Sequence, residues 1–281
     1  MFGIMSAILV LSGIAFGWVF GNWAVARRPV PASPLPEGSL AVHLPSTDGV
    51  PLAGHYWPGK SDTAPGVLLL HGINSSRAQF DTLGKDLAAE GYAVLAINMR
   101  AHGDSGGNMR SFGWFEGRDA HAALAWLKKR QSGAKTAVIG MSLGGAAALL
   151  GPDGPVPADA FVLSVVYPDI RNAIRNRIAN MIGGPLAYIG EPLLSFQAPI
   201  RFGVWPSDIS PVRAIQKVHV PVFVIGGERD TSTPLVETQA LFDAANQPKR
   251  LWIVKGANHN QTTEDAQFEP KVFRFLAVNL K

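Results

Sequence analysis

The sequence predicts an α/β fold in which a mostly parallel central sheet is flanked by helices. Two observations predict it: short apolar runs typical of strands buried on both faces, and helical patterns that separate most of these runs. The composition agrees, because 47% hydrophobic and 16% charged residues over 281 positions exclude a disordered chain and suffice for a real core. Since the chain has no cysteine, disulfides, thiolate metal sites and cysteine nucleophiles are excluded.

The N-terminal run of residues 1–26 carries no charged side chain. As a helix it would be about 39 Å long, which exceeds the roughly 30 Å hydrocarbon core of a bilayer. We therefore expect an N-terminal transmembrane helix that acts as a single-pass membrane anchor. The alternative is a cleaved signal peptide, because Ala24-Val25-Ala26 fits the small-x-small cleavage pattern. Arg27 and Arg28 follow the run, and the positive-inside tendency then favours the cytoplasmic side over a periplasmic or secreted location.

Glycines in the apolar run and prolines after it suggest a role for each part of the N-terminal region. Gly13, Gly17 and Gly21 stand four residues apart, as in small-xxx-small helix packing, and suggest a homodimer through that face. Residues 27–38 contain four prolines and are typical of a stiff, extended linker. The domain proper is then expected over residues 39–281.

The predicted domain begins with an antiparallel hairpin and continues as β-α units. Leu40–Leu44 and Leu52–Trp57 alternate in polarity and flank Asp48-Gly49, a turn dipeptide. The runs that predict buried strands are Gly66–Leu70, Ala93–Asn98, Thr136–Gly140, Ala160–Val166, Val220–Gly226 and Arg250–Val254. The patterns that predict helices are Arg77–Glu90, Glu116–Arg130, Leu143–Leu150, Leu235–Ala245 and Ala266–Leu280.

Ligands of such sheets bind beyond the carboxyl ends of the strands, so polar residues there are candidates for function. One of these segments, Gly140-Met141-Ser142-Leu143-Gly144, is a Gly-x-Ser-x-Gly pattern between a predicted strand and a predicted helix. This context is that of a nucleophile elbow, in which glycines permit a tight turn and the serine stands at the top of the sheet. Ser142 is therefore the candidate nucleophile.

A serine hydroxyl needs a general base, and the base needs a third group to orient it. His259 follows the last predicted strand and is the candidate base. Asp230 follows the strand before it and is the candidate acid, with Asp169 as its substitute. The chain order Ser142, Asp230, His259 is the order typical of this kind of sheet.

Five motifs in register carry a resemblance to a known family. They are His71-Gly72, Arg100-x-His102-Gly103-x-Ser105, Gly140-x-Ser142-x-Gly144, Gly227-x-x-Asp230 with Pro234, and Gly256-x-x-His259. From about Ser39 to its end, the chain resembles the α/β-hydrolases, in the branch of monoglyceride-lipase-like and serine-aminopeptidase-like hydrolases. The resemblance implies an α/β-hydrolase fold with Ser142 as nucleophile, Asp230 as acid and His259 as base. It further implies an oxyanion hole built from the backbone N–H groups of Ile73 and Leu143.

The expected function is that of a serine hydrolase. It would cleave a small-molecule carboxylic ester, including lipid or acylglycerol esters, through an acyl-enzyme. No metal and no organic cofactor is expected, and no nucleic-acid partner, because no Lys/Arg run is interleaved with aromatics. The alternatives are an amidase, a peptidase or an acyltransferase on the same triad, or a non-catalytic membrane-tethered binding protein.

The segment at about 168–215 is too long for a plain crossover, and the resemblance implies a helical cap insertion there. Arg171, Arg175 and Arg177 cluster on one of its predicted helices. Two interpretations stay open: a lid that lines an acyl pocket and sets its arginines near anionic headgroups, or a cap helix with a solvated basic face.

Overall fold

The computed structural model describes residues 2–29 and 34–281, and side chains of residues 11–29 and 34–281. The strands are β1 (Leu40–Pro45), β2 (Pro51–Trp57), β3 (Gly66–Leu70), β4 (Ala93–Asn98), β5 (Thr136–Met141), β6 (Ala160–Ser164), β7 (Val222–Gly227) and β8 (Lys249–Val254). The helices are α1 (Phe2–Val25), α2 (Asp81–Ala89), α3 (Glu116–Arg130), α4 (Leu143–Leu149), α5 (Ile170–Ile182), α6 (Gly184–Ser195), α7 (Ala198–Phe202), α8 (Pro211–Ala214), α9 (Leu235–Ala244) and α10 (Phe268–Leu280). Of the predicted anchor and linker, Met1 and residues 30–33 lie outside the described residues.

The strands form one sheet in the order β1-β2-β4-β3-β5-β6-β7-β8. β1 and β2 pair as an antiparallel hairpin, and β2 pairs antiparallel with β4. From β4 to β8 every neighbouring pair is parallel. The prediction of a mostly parallel sheet flanked by helices is confirmed, and the carboxyl ends of β5, β7 and β8 share one edge.

Alternation along the buried strands divides the core between the two faces of the sheet. In β3, Leu68 and Leu70 belong to one apolar cluster, whereas Val67 and Leu69 belong to another. The first cluster includes residues of α3, α4 and α9, and the second includes residues of α2 and α10. Helices therefore cover both faces, which explains why the strand sequences are apolar at nearly every position.

The long segment between β6 and β7 contains α5, α6 and α7, which we call the insertion helices. Asp169 is the N-cap of α5, and its side chain accepts a hydrogen bond from Asn172 N at 2.9 Å. Ile170, Ala173 and Ile174 of α5 lie beside Ser142 in one narrow cavity. The insertion helices thus contact the carboxyl edge of the sheet, in the region where a cap was predicted.

The predicted N-terminal transmembrane helix is wrong. In the described part of the chain, no helix combines the length and the apolarity that crossing a membrane requires. α1 forms, but its end packs on the insertion helices: Gln197 Nε2 donates to the carbonyl oxygen of Gly17 at 2.8 Å, and Arg201 Nη2 donates to that of Trp18 at 3.2 Å. These contacts join the end of α1 to the insertion helices of the same chain. The expected membrane anchor, membrane partner and membrane localisation, with its orientation, are corrected accordingly. The alternative, a cleaved signal peptide, stays a prediction.

The glycine stripe of α1 has a contact inside the chain. Gly17 and Gly21 are buried, and a Cβ at Gly17 would lie 3.1 Å from the Cβ of Leu193. A Cβ at Gly21 would clash with Oε1 of Gln197. These two glycines therefore bring α1 close to α6 and α7 within one chain. The predicted homodimer stays a prediction. Gly13, the third, has no heavy atom near its hypothetical Cβ among the described residues.

Candidate active site

Ser142 lies in the turn between β5 and α4, and its backbone is strained. Its φ of 50° and ψ of −110° put it in a region that non-glycine residues seldom adopt. The turn closes only because its flanking positions are glycine. A Cβ at Gly144 would clash with the carbonyl oxygen of Leu70, and one at Gly140 would clash with the backbone of Gly145. The turn presents the Ser142 hydroxyl at the carboxyl edge of the sheet, where the side chain is almost completely buried.

The structure brings the predicted base and acid to this hydroxyl. His259 follows β8, and its Nε2 lies 3.1 Å from Ser142 Oγ. Its Nδ1 lies 2.7 Å from Oδ2 of Asp230, which follows β7. The other carboxylate oxygen, Oδ1, accepts hydrogen bonds from the backbone N–H groups of Ser232 and Thr233 at 2.7 and 2.8 Å. The buried carboxylate is thus fixed by a turn on one side and by the imidazole on the other.

Asp169, the substitute acid, lies elsewhere. Its Oδ1 accepts from Asn172 N and its Oδ2 accepts from Asn172 Nδ2, at the start of α5. Both oxygens serve the helix terminus, so among the two candidate acids it is Asp230 that contacts His259.

The two predicted oxyanion donors, Ile73 and Leu143, lie beside Ser142 and line the same narrow cavity. Leu143 is the first residue of α4, where backbone N–H groups have no partner within the helix. Within the described residues, the N–H of Ile73 makes no hydrogen bond. Both groups are therefore available to an oxygen bound next to the serine.

His71 holds the loop that carries Ile73 in place. It is fully buried, its Nδ1 lies 2.8 Å from the carbonyl oxygen of Gly72, and its Nε2 accepts from Met99 N at 3.2 Å. Burial lowers the pKa of His71 to about 3, so the imidazole is neutral and its Nδ1–H donates to Gly72. This side chain holds the loop and does not reach the Ser142 hydroxyl.

The other motif residues tie loops together. Arg100 donates to the carboxylates of both Asp119 and Asp48, joining α3 to the β1–β2 turn. Ser105 Oγ accepts from Ala53 N and donates to the carbonyl oxygen of Asn98. The contacts of Arg100 with Asp48 and of Ser105 with Ala53 join segments more than 50 residues apart, as in a scaffold role.

Two cavities border Ser142. The wide cavity has a volume of about 730 Å³ and is lined by Ser142 and His259 together with the loops after β3 and β8. The narrow cavity is mainly apolar, and its walls include Phe112, Ile170 and Ile174. A volume of several hundred cubic ångströms is in the range of small-molecule sites.

The comparisons with known proteins agree with this geometry. A family model described as "Serine aminopeptidase, S33" matches residues 62–183. An uncharacterised protein of Mycobacterium tuberculosis is 29% identical over 269 residues, covering 91% of this chain and 88% of its own. The lysophosphatidylserine lipase ABHD12 of Danio rerio is 28% identical over 205 residues, covering 69% of this chain and 51% of its own. The solved esterase Pf2001 of Pyrococcus furiosus is 26% identical, with a TM-score of 0.71 over 92% of this chain and 98% of its own.

Together, the family model, the relatives and the solved structures support the α/β-hydrolase superfamily for this chain. The family model and the lipase relative support its monoglyceride-lipase-like branch. This α/β-hydrolase is an enzyme, and its esterase neighbours support ester hydrolysis as the general class of its reaction.

Sequence reasoning missed two side chains that hold the loop after β3, which carries Ile73. Gln79 accepts a hydrogen bond from Gly72 N on its Oε1 at 3.2 Å. Arg110 donates to Oδ1 of Asn74 at 2.7 Å and to the carbonyl oxygen of Ala24 at 2.6 Å. Gln79 lay within a helical pattern that gave no sign of its contact. Asn74 offered a weak signal, because its φ of 61° is a conformation that asparagine tolerates.

A third residue was noticed in the sequence only as one of a cluster. Arg177 of α5 lines both cavities at Ser142. The sequence showed three arginines on one helix but not which of them faces the sheet, since that depends on how α5 packs.

Proposed function

We propose that this hydrolase cleaves carboxylic esters through an acyl-enzyme on Ser142, with His259 as general base and Asp230 as the orienting acid. The observation that carries the proposal is the position of the His259 imidazole, with Nε2 at 3.1 Å from the serine hydroxyl and Nδ1 at 2.7 Å from the carboxylate. This arrangement supplies a nucleophile, a base and a group that fixes the base's tautomer. The esterase neighbour of known structure supports the same reaction class.

In the proposed mechanism, Ser142 Oγ attacks the ester carbonyl carbon while His259 Nε2 takes its proton. Asp230 accepts from Nδ1–H and stabilises the imidazolium that forms. The tetrahedral oxyanion accepts hydrogen bonds from the N–H groups of Ile73 and Leu143, and losing one such donor typically costs about 2.7–4 kcal/mol in the transition state. His259 then protonates the leaving alcohol. Water attacks the acyl-enzyme with the same proton transfers and frees Ser142.

The acyl and alcohol parts of the ester have cavities of different size available. The narrow cavity beside Ser142 has room for little more than a short acyl group, whereas the wide one has about 730 Å³. A lipid ester is the finer form of the proposal, and the lipase relative supports it. Hydrolysis of 4-nitrophenyl esters from acetate to palmitate tests this: a maximum at long chains supports a lipid ester, and a maximum at acetate or butyrate contradicts it.

The deciding experiment combines probe labelling with turnover. A fluorophosphonate probe should label the wild type and Ser75→Ala, a matched serine that lines the same cavity, but not Ser142→Ala. Hydrolysis of 4-nitrophenyl butyrate should disappear in Ser142→Ala alone. Labelling or turnover that survives Ser142→Ala removes the proposed nucleophile.

The family model's description, a serine aminopeptidase, gives one reason to test an amide on the same triad. The matched pair is 4-nitrophenyl acetate and 4-nitroacetanilide, which share the acyl group. We expect Ser142-dependent turnover of the ester and not of the anilide. The reverse preference would favour an amidase.

A further inference from the structure

Arg177 is the charged side chain at the junction of the two cavities. Three residues line both the wide and the narrow cavity: Ile73, Ser142 and Arg177. The first two are the proposed oxyanion donor and nucleophile. The third therefore borders the same space in which a scissile ester would lie.

The charge of Arg177 has no carboxylate partner within the described residues, unlike its neighbours on α5. Arg171 and Arg175 both form ion pairs with Glu191. Arg177 donates from Nη1 to the carbonyl oxygen of Ala173, one turn earlier in its own helix, at 2.8 Å. The Arg177 guanidinium has five N–H donors, and its hydrogen bond to Ala173 leaves most of them available to a ligand.

Burial makes this arrangement costly. Arg177 is only partly exposed, and burial lowers the pKa of its guanidinium, while Tyr167, Asp230 and Glu237 act in the opposite direction. Glu264 and Glu269 line other parts of the wide cavity, and neither pairs with Arg177 in the described structure. Asp230 and Glu237 offset part of this cost, but neither forms an ion pair with Arg177 in the described structure, so the guanidinium keeps N–H donors free for an anionic ligand.

We propose that Arg177 determines specificity by binding an anionic group of the substrate, a carboxylate or a phosphate, close to the scissile ester. The inference rests on the proposed function of Ser142. The guanidinium fork matches the oxygens of either anion through two parallel hydrogen bonds. The substrate class is therefore an anionic ester, and the anion fixes the ester relative to the Ser142 hydroxyl.

The test uses two pairs of esters that differ in charge. Mono-4-nitrophenyl succinate, which carries a carboxylate on its acyl group, is compared with the neutral 4-nitrophenyl butyrate. 3-Acetoxybenzoate, which carries a carboxylate on its leaving group, is compared with the neutral phenyl acetate. Wild type, Arg177→Gln and Arg177→Lys are measured, with Arg171→Gln as the matched control from the same helix, because Arg171 lines neither cavity.

We expect wild type to prefer the anionic member of at least one pair. Arg177→Gln should lower kcat/KM for that ester about 10- to 150-fold more than for its neutral partner, as for loss of a charge-assisted hydrogen bond. Arg177→Lys should retain part of the preference, and Arg171→Gln all of it.

Three results would overturn the inference, and they differ from failure of the proposed function. Wild type without a preference for either anionic ester removes the anion site. An equal loss for the charged and neutral esters in Arg177→Gln means that Arg177 acts by balancing Asp230 and Glu237. An unchanged preference in Arg177→Gln assigns the selectivity to another group. In each case Ser142-dependent hydrolysis of the neutral esters persists, whereas its absence in wild type would refute the proposed function itself.

Discussion

The guanidinium of Arg110 donates to the side-chain oxygen of Asn74 at 2.7 Å, one residue beyond the proposed oxyanion donor Ile73. The same guanidinium donates to the carbonyl oxygen of Ala24, and the backbone N–H of Arg110 donates to that of Val25 at 2.8 Å. Arg110 is buried, and burial lowers its pKa to about 10, so it stays charged near neutral pH. The end of α1 and the loop that carries Ile73 are therefore held by one side chain.

Replacing Arg110 should affect turnover and stability together. Arg110→Gln loses charge-assisted hydrogen bonds to both segments, and we expect the free energy of unfolding to fall by about 2–4 kcal/mol. Displacement of the Ile73 N–H should lower kcat by about 10- to 100-fold. Urea denaturation and hydrolysis of 4-nitrophenyl butyrate measure the two effects.

Asn74→Gly isolates the loop contact, because glycine keeps the positive φ and removes only the amide that Arg110 binds. It should lower kcat with a smaller loss of stability. An unchanged kcat in both variants would show that the loop is held without Arg110.

Replacing Asp230, the proposed orienting acid, should lower the rate of catalysis without preventing folding. Asp230→Asn keeps the shape but removes the charge next to His259 Nδ1, and kcat should fall by about 10⁴-fold. Asp169→Asn is the matched control, because Asp169 caps α5 and does not contact His259. It should retain kcat within about threefold and lose at most about 1 kcal/mol of stability. Steady-state kinetics of the two variants would contradict the assignment if the losses were reversed.

The sharp turn before α4 should tolerate no side chain at its second glycine. Gly144→Ala places a Cβ against the carbonyl oxygen of Leu70, and we expect a loss of about 2–4 kcal/mol in unfolding free energy together with loss of activity. Gly184→Ala, at the start of α6, has no heavy atom near its hypothetical Cβ in the described structure and should be neutral or slightly stabilising. Thermal unfolding distinguishes the two, and a Gly144→Ala variant as stable as wild type would contradict the packing of the turn.

The sheet and the relative positions of the proposed triad residues could be predicted from the sequence. The sheet was predictable because strand periodicity and turn residues are local features of the sequence. The predicted ends of β3, β4 and β5 lie within one residue of those in the structure. The proximity of Ser142, Asp230 and His259 was predictable because each lies shortly after a strand, and the carboxyl ends of parallel strands meet at one edge.

The contacts that depend on packing between distant segments were not predictable. The apolar run of α1 has the same composition whether it faces lipid or packs on Leu193 and Gln197, so its environment could not be deduced from its residues. The orientation of Arg177 likewise depends on the rotation of α5 against the sheet. Gln79 gave no signal, because its bond to Gly72 joins a short 3-10 turn to a loop.

The ion-pair network between the β1–β2 turn and α3 should give the protein an acid-sensitive contribution to stability. Hydrogen bonds from Arg100, and secondarily from Arg118, hold the pKa of Asp48 well below its usual range. A carboxyl with a lowered folded pKa stabilises the fold above its unfolded pKa of about 4, and this contribution is lost as the pH falls below that value. Asp48→Asn should therefore destabilise by about 1–3 kcal/mol at pH 7 and by less at pH 3.

Urea denaturation at pH 7 and pH 3 measures this difference. Asp153→Asn, at an exposed aspartate, is the control and should track wild type at both values. A destabilisation by Asp48→Asn that does not depend on pH would mean that the network acts through packing rather than charge.

The glycine stripe of α1 provides a matched pair for its packing on the insertion helices. A side chain at Gly21 meets Gln197 Oε1 and lies 3.0 Å from Arg201 Nη2, whereas Gly13 has open space around its hypothetical Cβ in the described residues. Gly21→Leu should therefore separate the end of α1 from α6 and α7, lower the Tm by several degrees and increase trypsin cleavage after Arg27. Gly13→Leu should leave the Tm and the cleavage pattern unchanged. Thermal unfolding and limited trypsin digestion, followed by mass spectrometry, measure both effects. If Gly13→Leu and Gly21→Leu instead changed the protein equally and lowered its mass by light scattering, the stripe would join two copies of the chain, and the packing of α1 within one copy would be refuted.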